Sequence, residues 1–531
     1  MPKVLIADEL SSRAAEIFQE RGISVDREAG LAPEELRRRI AEYDGLAVRS
    51  ATKVTRELIA AADKLKVVGR AGIGVDNIDV TAATQRGVVV MNTPYGNSIT
   101  TAEHAIAMMF ALARQIPAAD RSTQAGRWEK SRFLGVELSG KTLGIVGCGN
   151  IGSIVADRAL GLRMRVLAYD PFLSAERAID LGVEKVSLDE LFARADFITL
   201  HAPLTEATRN LIDRAALSRM KPGVRLINCA RGGLVVEADL AAALDSGHIA
   251  GAAVDVFVEE PARRNSLFGR DNFVATPHLG AATSEAQENV AVQIAEQMAD
   301  FLLTGAVSNA VNMPSLTAEE AARLRPYMKL AEQLGSFAGQ LLETGITAVT
   351  IEYEGIIADL NVKPLTAIAL TGLLSPQLAA VNMVNAPVIC RERDIPVTET
   401  RRSEPGDYQT VMRVSVTAEP EASGAPHRRS VAGTVFAGDK PRLVAIEQIP
   451  LEAELGRNIL FVRNFDKPGF IGGLGQALAA GEINIATFHL GRTAPGREAI
   501  ALIEVDQPLT PPLIDAVRNL PNVIQVKALK F

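Results

Sequence analysis

The chain has 531 residues, which at roughly 150 residues per domain predicts three to four domains. Its 47% hydrophobic and 22% charged residues are typical of a packed globular protein and exclude an intrinsically disordered chain. The net charge of −7 argues against a non-specific nucleic-acid binder, which needs a basic surface, but does not exclude a small anionic substrate.

The cysteines and the apolar runs exclude further classes. Three cysteines, Cys148, Cys229 and Cys390, are too few and too scattered for a disulfide framework or a zinc site, so no metal is expected. The amino terminus lacks the apolar run of roughly seven or more residues that a secretory signal needs. No stretch reaches the roughly 18 uninterrupted apolar residues of a membrane span. We therefore expect a cytoplasmic protein with neither a membrane nor a nucleic-acid partner.

Short aliphatic runs alternate with helical stretches in the first part of the chain, which is typical of βα units around parallel sheets. Strands are predicted at Lys3–Ala7, Gly45–Arg49, Lys66–Gly69 and Val88–Asn92, before a long helix at Thr101–Gln115. They resume at Thr142–Val146, Arg165–Tyr169, Phe197–Leu200, Arg225–Asn228, Ala250–Val254 and Phe273–Ala275. Because one sheet of all these strands would be large, two α/β domains are favoured, with a helix at Ser284–Thr304 returning to the first.

The pattern changes near residue 314. Residues 315–453 indicate a mixed α+β domain, with a helix at Leu324–Leu342, strands at Thr347–Tyr353 and Tyr408–Val416, and a loop at Thr417–His427. In residues 454–531 the sequence predicts four strands, at Ile459–Val462, Ile483–Leu490, Ile500–Val505 and Val523–Leu529. It also predicts two helices, at Gly469–Ala480 and Pro512–Asn519. Their order, βαββαβ, is that of the ferredoxin-like unit.

A glycine-rich turn follows the strand at Thr142–Val146 and precedes a predicted helix. Gly147 permits a tight turn, Gly149 lets the backbone approach a pyrophosphate, and Gly152 lets helix and strand pack closely. The next strand ends at Asp170, whose carboxylate can accept hydrogen bonds from the adenosine ribose and would repel a 2′-phosphate. The sequence therefore predicts a Rossmann domain that binds NAD.

Three charged or titratable residues, Arg231, Glu260 and His278, follow predicted strands of the same domain. Ligands bind outside the carboxyl ends of such strands, so these side chains are expected to converge on the nicotinamide. His278 suits the base that takes the proton of a 2-hydroxy acid, Glu260 would orient its ring, and Arg231 would hold the substrate carboxylate. His201 also follows a strand and by position alone rivals His278, although a role in lining the cofactor is favoured.

Five segments of residues 1–312 together resemble the D-isomer-specific 2-hydroxyacid dehydrogenases. They are Val67–Asn77, Gly147–Gly152, Asn228–Gly233, Asp255–Pro261 and Pro277–Ala281. The Arg, Glu and His of that family fall on Arg231, Glu260 and His278, which leaves His201 as a cofactor-lining residue. The resemblance implies NAD contacts from Gly147, Gly149, Asn150, Ile151, Gly152, Asp170, His201, Ala202, Pro203, Cys229, Ala230, Asp255 and Gly280.

The whole chain resembles the long members of this family, which carry an intervening domain and a C-terminal ACT domain. The implied fold class is α/β, with two Rossmann-like parallel-sheet domains followed by an α+β intervening domain and a ferredoxin-like ACT domain. The implied domains are a substrate-binding domain from residues 1–97 and 288–313, an NAD-binding domain at 98–287, an intervening domain at 314–453 and an ACT domain at 454–531.

For these long members the resemblance implies NAD-dependent oxidation of 3-phosphoglycerate (3-phospho-D-glycerate) to 3-phosphohydroxypyruvate, the first step of a phosphorylated route to L-serine. Substrate contacts would come from Arg49, Ser50, Arg70, Gly72, Asn97, Arg231 and His278. A phosphate needs more cationic groups than Arg231 alone, and the other two arginines supply them. Two alternatives stay open: a dehydrogenase acting on hydroxypyruvate, glycerate or 2-oxoglutarate, and an NAD-sensing binding protein similar to corepressors of this fold.

The resemblance also implies assembly and regulation. Family members pair through their nucleotide-binding domains, so a homo-oligomer, dimer or tetramer, is expected, with Lys130 or Arg132 reaching the partner's active site. In the ACT domain, Asn464, Asp466 and Asn484 match positions that bind L-serine across a two-chain interface, which implies feedback inhibition. The alternative is that this domain only pairs subunits.

Overall fold

The computed structural model describes residues 1–316, 318–342, 344–378, 381–419, 427–436 and 440–531. Within these residues the strands form four sheets, of which the first two are wholly parallel and the last is antiparallel. The predicted fold class is confirmed: two parallel α/β units are followed by an α+β unit and a ferredoxin-like unit.

The first sheet has five strands and four helices. They are β1 (Lys3–Ile6), α1 (Ser12–Glu20), β2 (Ser24–Arg27), α2 (Pro33–Arg39), β3 (Gly45–Val48), α3 (Arg56–Ala60), β4 (Val67–Arg70), α4 (Val80–Arg86) and β5 (Val89–Met91). The strand order is β2-β1-β3-β4-β5. The sequence does not predict β2, because it lies at the sheet edge and its polar, half-exposed residues give no apolar run.

The second sheet has seven strands. The chain runs through α5 (Ser98–Ala113), α6 (Ile116–Gln124), β6 (Thr142–Val146), α7 (Asn150–Gly161), β7 (Arg165–Tyr169), α8 (Ala175–Asp180), β8 (Glu184–Lys185), α9 (Leu188–Arg194), β9 (Phe197–Leu200), α10 (Arg214–Arg219), β10 (Val224–Asn228), α11 (Glu237–Asp245), β11 (Ile249–Val254) and β12 (Phe273–Ala275). The strand order is β12-β11-β10-β9-β6-β7-β8. The order reverses between β6 and β9, which opens a crevice at their carboxyl ends where such sheets bind ligands.

A long helix, α12 (Ser284–Thr304), leads the chain from the second sheet back to the first. Met298 and Ile294 of α12 pack directly over Gly69 of β4, where any larger side chain would collide with both. The helix thereby buries an apolar face against the first sheet.

The third sheet is mixed. Its unit contains α13 (Ala318–Leu341), β13 (Ile346–Gly355), α14 (Lys363–Leu374), α15 (Ala386–Glu392), β14 (Val397–Arg402), β15 (Thr410–Ala418), β16 (His427–Phe436), β17 (Lys440–Ile446) and β18 (Ile449–Ala453), in the strand order β14-β13-β15-β16-β17-β18. The predicted loop at Thr417–His427 is wrong at its ends, because Thr417 and Ala418 pair with Arg428 and His427 in the sheet. Residues 420–426 of that loop lie outside the described residues.

The fourth sheet confirms the predicted βαββαβ order. Its elements are β19 (Asn458–Phe465), α16 (Phe470–Ala480), β20 (Ile485–Arg492), β21 (Glu498–Val505), α17 (Pro511–Arg518) and β22 (Val523–Lys530), and its strand order is β20-β21-β19-β22. Among the helices of the described residues, none combines the length and the apolar character that crossing a membrane requires.

Candidate active site

A cavity of about 660 Å³ lies in the cleft between the two parallel sheets. Side chains from both sides line it: Arg49, Ser50, Arg70 and Asn97 come from the first sheet and its loops, and Glu260 and His278 come from loops of the second. These loops follow the carboxyl ends of their strands, where the ligands of open α/β sheets bind. With Gly72, the structure brings seven of the predicted site residues to one cavity, whereas Arg231 is not among its lining residues.

The glycine turn between β6 and α7 has the shape that a dinucleotide pyrophosphate needs. Gly147 has a left-handed φ of +91°, and a Cβ atom there would lie 2.7 Å from the backbone carbonyl of His201. A Cβ atom on Gly152 would overlap the carbonyl oxygen of Gly147. A Cβ atom on Gly149, in contrast, would meet no heavy atom of the described chain within 4 Å. Two glycines thus allow close backbone packing, while the third faces open space at the start of a helix, so the residues fit the cofactor.

Asp170 lies beside this turn, at the end of β7. Its Oδ2 accepts a hydrogen bond of 2.8 Å from the backbone N–H of Cys148, and its Oδ1 accepts one of 2.8 Å from the N–H of Phe172. The two contacts fix the carboxylate next to the glycine turn. This is the position from which a carboxylate can bind the ribose hydroxyls of NAD.

The remaining predicted cofactor residues follow the carboxyl ends of strands around the same crevice. Ala202 and Pro203 follow β9, Cys229 and Ala230 follow β10, and Asn150 and Ile151 begin α7. Cys229 is buried. The Nδ2 group of Asn150 donates to the carbonyl oxygen of Pro94 at 3.3 Å, which links the turn to the first sheet's side of the cleft.

His278 and Glu260 form a direct pair, with 2.7 Å between His278 Nδ1 and Glu260 Oε2. Glu260 Oε1 also accepts a hydrogen bond of 3.0 Å from the N–H of Phe257. Burial raises the pKa of Glu260, but the hydrogen bonds from His278 and Phe257 outweigh it, and this pKa lies below its ordinary value. The carboxylate therefore stays charged beside the imidazole, and because it can only accept, Nδ1 carries the proton and Nε2 is directed elsewhere.

Asp255 holds the loop that carries His278. Its fully buried carboxylate accepts hydrogen bonds from the Thr276 hydroxyl at 2.5 Å and from the N–H groups of Leu279 and Gly280 at 2.7 and 2.8 Å. These contacts surround His278, whose φ of +56° is unusual for a residue with a side chain. Sequence reasoning assigned Asp255 and Gly280 to the cofactor, but their recorded contacts within the described chain shape this loop.

His201 lies against the glycine turn and outside the residues that line the cavity. Its Nε2 lies 3.0 Å from the Thr199 hydroxyl, and its Nδ1 has no hydrogen-bond partner among the described residues. Burial lowers the pKa of His201 to about 4, so the imidazole is neutral at neutral pH. The ring is thus neutral and partly buried, and it lies beside the turn.

Arg231 reaches across the cleft to Asp76, a residue that sequence reasoning missed. The Nε of Arg231 donates to Asp76 Oδ2 at 2.9 Å, and its Nη1 donates to the carbonyl oxygen of Ala230 at 2.7 Å. Asp76 lies in the Val67–Asn77 segment, but 155 residues separate it from Arg231. Nothing in the spacing of residues along the chain signals such a pair.

Two further arginines line the cavity on the side of the first sheet. Arg70 is partly buried, and its Nε has no hydrogen-bond partner among the described residues. Burial, followed by repulsion from Arg231, lowers the pKa of Arg70 to about 10. Arg49 makes a weak contact of 3.4 Å to the carbonyl oxygen of Glu9, and its backbone N–H donates to Asp8. Arg49 and Arg70 thus line the cavity. Arg231 is not among the lining residues, but it is near enough to repel Arg70. This concentration of positive charge suits an anion.

Asn97 and Gly72 also line the cavity. Asn97 is 8% exposed, and its Oδ1 has no hydrogen-bond partner within the described residues. Gly72 has a φ of +143°, and a Cβ atom there would overlap the guanidinium of Arg70. Gly72 therefore makes room for Arg70, while Asn97 offers an unused acceptor at the cavity.

The segment between α6 and β6 carries the two residues predicted to reach a partner subunit. Lys130 is exposed, whereas Arg132 donates to Asp271 at 2.7 Å and to Glu129 at 3.0 Å. Since Arg132 is already paired within its own chain, Lys130 is the freer of the two cations.

The structure does not bring the three predicted effector residues together within one chain. Asp466 follows β19 at the Glu498 end of β21, whereas Asn484 precedes β20 at the Val505 end, about 24 Å away at ~3.4 Å per residue. Asp466 accepts from Arg492 at 2.6 Å, and Asn484 donates to Asp506 at 2.6 Å. Asn464, near Asp466, is 1% exposed, and its Oδ1 has no partner among the described residues. A ligand that touches both ends therefore needs two chains.

Family comparisons match two parts of the chain. Residues 106–280 match the family model described as "D-isomer specific 2-hydroxyacid dehydrogenase, NAD binding domain". Residues 323–447 match the "D-3-phosphoglycerate dehydrogenase intervening domain".

Curated relatives match over their full lengths. The chain is 43% identical to the D-3-phosphoglycerate dehydrogenase of Synechocystis sp., over 100% of this chain and 95% of the relative. It is 41% identical to the enzyme of the same name from Methanocaldococcus jannaschii, over 100% of both, and 40% identical to that of Bacillus subtilis, over 100% and 99%.

Solved structures match 59% of the chain. The D-lactate dehydrogenase from Aquifex aeolicus complexed with NAD and lactic acid is 28% identical with a TM-score of 0.53, covering 59% of this chain and all of that one. The apo D-lactate dehydrogenase from Escherichia coli is 27% identical with a TM-score of 0.53, over 59% of this chain and 100% of that one.

Proposed function

The chain belongs to the D-3-phosphoglycerate dehydrogenase family of NAD-dependent oxidoreductases, and we propose that it oxidises 3-phospho-D-glycerate to 3-phosphohydroxypyruvate in the first step of serine synthesis. One observation carries the choice of a phosphorylated substrate. Arg70, a partly buried guanidinium without a partner in the described chain, faces the same cavity as the His278–Glu260 pair. A 2-hydroxy acid that bears a carboxylate alone would leave this cation unmatched.

The proposed cofactor residues surround the glycine turn. The backbone N–H groups from Gly149 to Gly152 bind the pyrophosphate, Asp170 binds the adenosine ribose, and His201, Ala202, Pro203, Cys229 and Ala230 line the approach to the nicotinamide. NAD, when bound, supplies the acceptor for the hydride that leaves C2 of the substrate. The open space next to Gly149 supports this placement.

The proposed proton transfer runs through His278 Nε2. Because Nδ1–H donates to Glu260 Oε2 at 2.7 Å, Nε2 keeps its lone pair and takes the proton of the C2 hydroxyl. The pKa of Glu260 lies below its ordinary value, so the carboxylate stays ionised and stabilises the imidazolium that forms. In the reverse direction, Nε2–H donates to the C2 carbonyl oxygen.

The substrate's two anionic groups are proposed to bind different arginines. Arg231 binds the carboxylate through its Nη groups, since its Nε is engaged by Asp76. Arg70 and Arg49 bind the phosphate, which carries a charge of about −2 at neutral pH, and Ser50 and Asn97 add polar contacts. In this scheme residues 1–97 and 288–313 bind the substrate, and residues 98–287 bind NAD.

We expect the full chain to reduce 3-phosphohydroxypyruvate with NADH at least about 100-fold more efficiently, in kcat/KM, than hydroxypyruvate. Each charge-assisted hydrogen bond to the phosphate contributes about 1.5–3 kcal/mol, so two arginines suffice for this difference. The measurement is the initial rate of NADH loss with each substrate. Equal efficiencies would show that the cavity does not select a phosphate and would favour a different 2-hydroxy acid.

Assembly and regulation are the finer part of the proposal. The chain forms a homo-oligomer, in which Trp128 and Leu134, each 86% exposed, are covered and Lys130 approaches the partner's cleft. Residues 314–453 and 454–531 form the intervening and ACT domains, and L-serine binds between two ACT domains. The opposite placement of Asp466 and Asn484 on the sheet supports a two-chain effector site. The cytoplasmic location stays a prediction.

L-Serine at millimolar concentration is expected to lower the rate at least about fivefold, the lower range of allosteric coupling between two sites. Asp466→Asn should abolish this inhibition with the uninhibited rate preserved, because Asp466 supplies the acceptor for the ammonium group and lies far from the cleft. Asp515→Asn, which removes an exposed pair with Arg518 in the same unit, is the control and should remain inhibited. An unchanged wild-type rate with serine would contradict the effector site and leave the ACT domain a pairing module.

A further inference from the structure

The loop after β4 accommodates two guanidinium groups, one from each side of the cleft. A Cβ atom on Gly72 would overlap Nη1 of Arg70, and a Cβ atom on Gly74 would overlap Nη2 of Arg231. Arg70 belongs to the strand that precedes the loop, whereas Arg231 follows β10 of the other sheet. The bare backbone of this loop therefore leaves space for a side chain that comes from the other side of the cleft.

Asp76 ends this shaped segment and binds Arg231 from the side. Its Oδ2 accepts from Nε at 2.9 Å, while Ala230 accepts from Nη1 at 2.7 Å. A guanidinium has five N–H donors, so three remain, all at the Nη end. A substrate carboxylate can thus meet Arg231 only at that end.

We infer that Asp76 is a positioning residue, and this inference rests on the function proposed above. Asp76 fixes Arg231 across the cleft so that the Nη end of Arg231 binds the substrate carboxylate. Gly74 serves the same purpose by leaving space for Nη2. The contact also ties the first sheet's side of the cleft to the second.

Two opposing electrostatic effects of Asp76 must be compared. Its charge repels an anionic substrate, but it also offsets the repulsion among Arg231, Arg70 and Arg49. Asp76 touches Arg231 directly, whereas the substrate carboxylate binds at the far end of that guanidinium, and the Asp76 side chain is 61% exposed to screening water. The short-range contact with Arg231 therefore outweighs the repulsion, and losing the carboxylate should weaken substrate binding.

The test uses the full chain with NADH and 3-phosphohydroxypyruvate. Asp76→Asn should raise the KM for the substrate about tenfold while kcat changes less than about threefold, because the hydrogen bond that orients Arg231 loses its charged acceptor. The affinity for NADH should stay unchanged. Gly74→Ala should raise KM in the same way by displacing Nη2, and Asp76→Glu should recover part of the wild-type KM. Asp63→Asn, which removes an exposed pair with Arg86 on the same side of the cleft, is the matched control and should change neither constant.

An unchanged KM in Asp76→Asn would overturn the inference. A lower KM would also overturn it, by showing that repulsion between Asp76 and the anionic substrate dominates. Hydrogen exchange of residues 71–79 in the ligand-free chain separates this outcome from a failure of the proposed function. If the wild type does not turn over the phosphorylated substrate, the proposed function fails. Faster exchange in Asp76→Asn than in the wild type would then still support the contact across the cleft, and equal exchange would refute it.

Discussion

His278→Asn is expected to lower kcat by a factor of about 10² to 10⁴, the usual contribution of a positioned general acid or base, while the affinity for NADH is retained. Nε2 of His278 carries the substrate proton in the proposed reaction, and an amide cannot take its place. The Glu260 carboxylate that orients the ring would remain, so the loop and its buried Asp255 anchor should stay folded. The measurements are single-turnover kinetics with 3-phosphohydroxypyruvate and NADH titration by fluorescence.

His201→Asn is the matched control, because both histidines follow strands of the second sheet. Burial holds the pKa of His201 at about 4, so this ring cannot supply the proton that carbonyl reduction needs at neutral pH. We expect this variant to alter NADH affinity more than kcat. If instead His201→Asn abolishes turnover and His278→Asn does not, the assignment of the proton donor is wrong.

Arg70→Gln is expected to lower kcat/KM for 3-phosphohydroxypyruvate by about 10- to 150-fold, the equivalent of a hydrogen bond to a charged group, with little change for hydroxypyruvate. The melting temperature should stay the same or rise. The lowered pKa of Arg70 means that the folded chain disfavours its charged form relative to the unfolded chain, so the neutral glutamine removes a destabilising term. Lost activity without lost stability would mark Arg70 as a residue kept for binding.

Arg225→Gln provides the comparison for this prediction. Burial also lowers the pKa of Arg225. This residue lies at the amino end of β10, whereas the cleft lies at the carboxyl ends of the strands. Its guanidinium lies over the ring of Phe197. Its replacement should leave the preference for the phosphorylated substrate unchanged. If Arg70→Gln lowers the efficiency with both substrates equally, Arg70 does not bind the phosphate.

Much of the fold follows from local patterns. Thr142–Val146, Arg165–Tyr169, Phe197–Leu200 and Phe273–Ala275 occur as strands with the predicted bounds, because buried parallel strands are uninterrupted aliphatic runs between turn residues. β8, at Glu184–Lys185, and β14, at Val397–Arg402, are missed because they are exposed edge strands made of polar residues, which carry no hydrophobic pattern. Their pairing depends on a neighbouring strand distant in the chain.

In the candidate site, too, the sequence predicts local features but not contacts between distant residues. The glycine turn is predicted in full because its chemistry is local, with a strand, three glycines and a helix within about a dozen residues. Asp76 is not predicted, since its partner lies 155 residues away and only the packing of two sheets brings them together. Asp255 is predicted from the sequence as a cofactor residue, but its use in holding the His278 loop depends on hydrogen bonds that the sequence does not show.

Two properties needed an explanation: the number of domains that 531 residues form, and the binding of an anion by a chain of net charge −7. The sequence by itself determined much of both. It gave the order of the units, the NAD turn and the candidate Arg, Glu and His, because these depend on residues that are close along the chain. The tertiary structure decided which histidine is neutral, which arginine has an Nε without a hydrogen-bond partner, and that Asp466 and Asn484 lie at opposite ends of one sheet. Burial, charge pairing and long-range register are properties of the folded chain, since each depends on residues that only packing brings near.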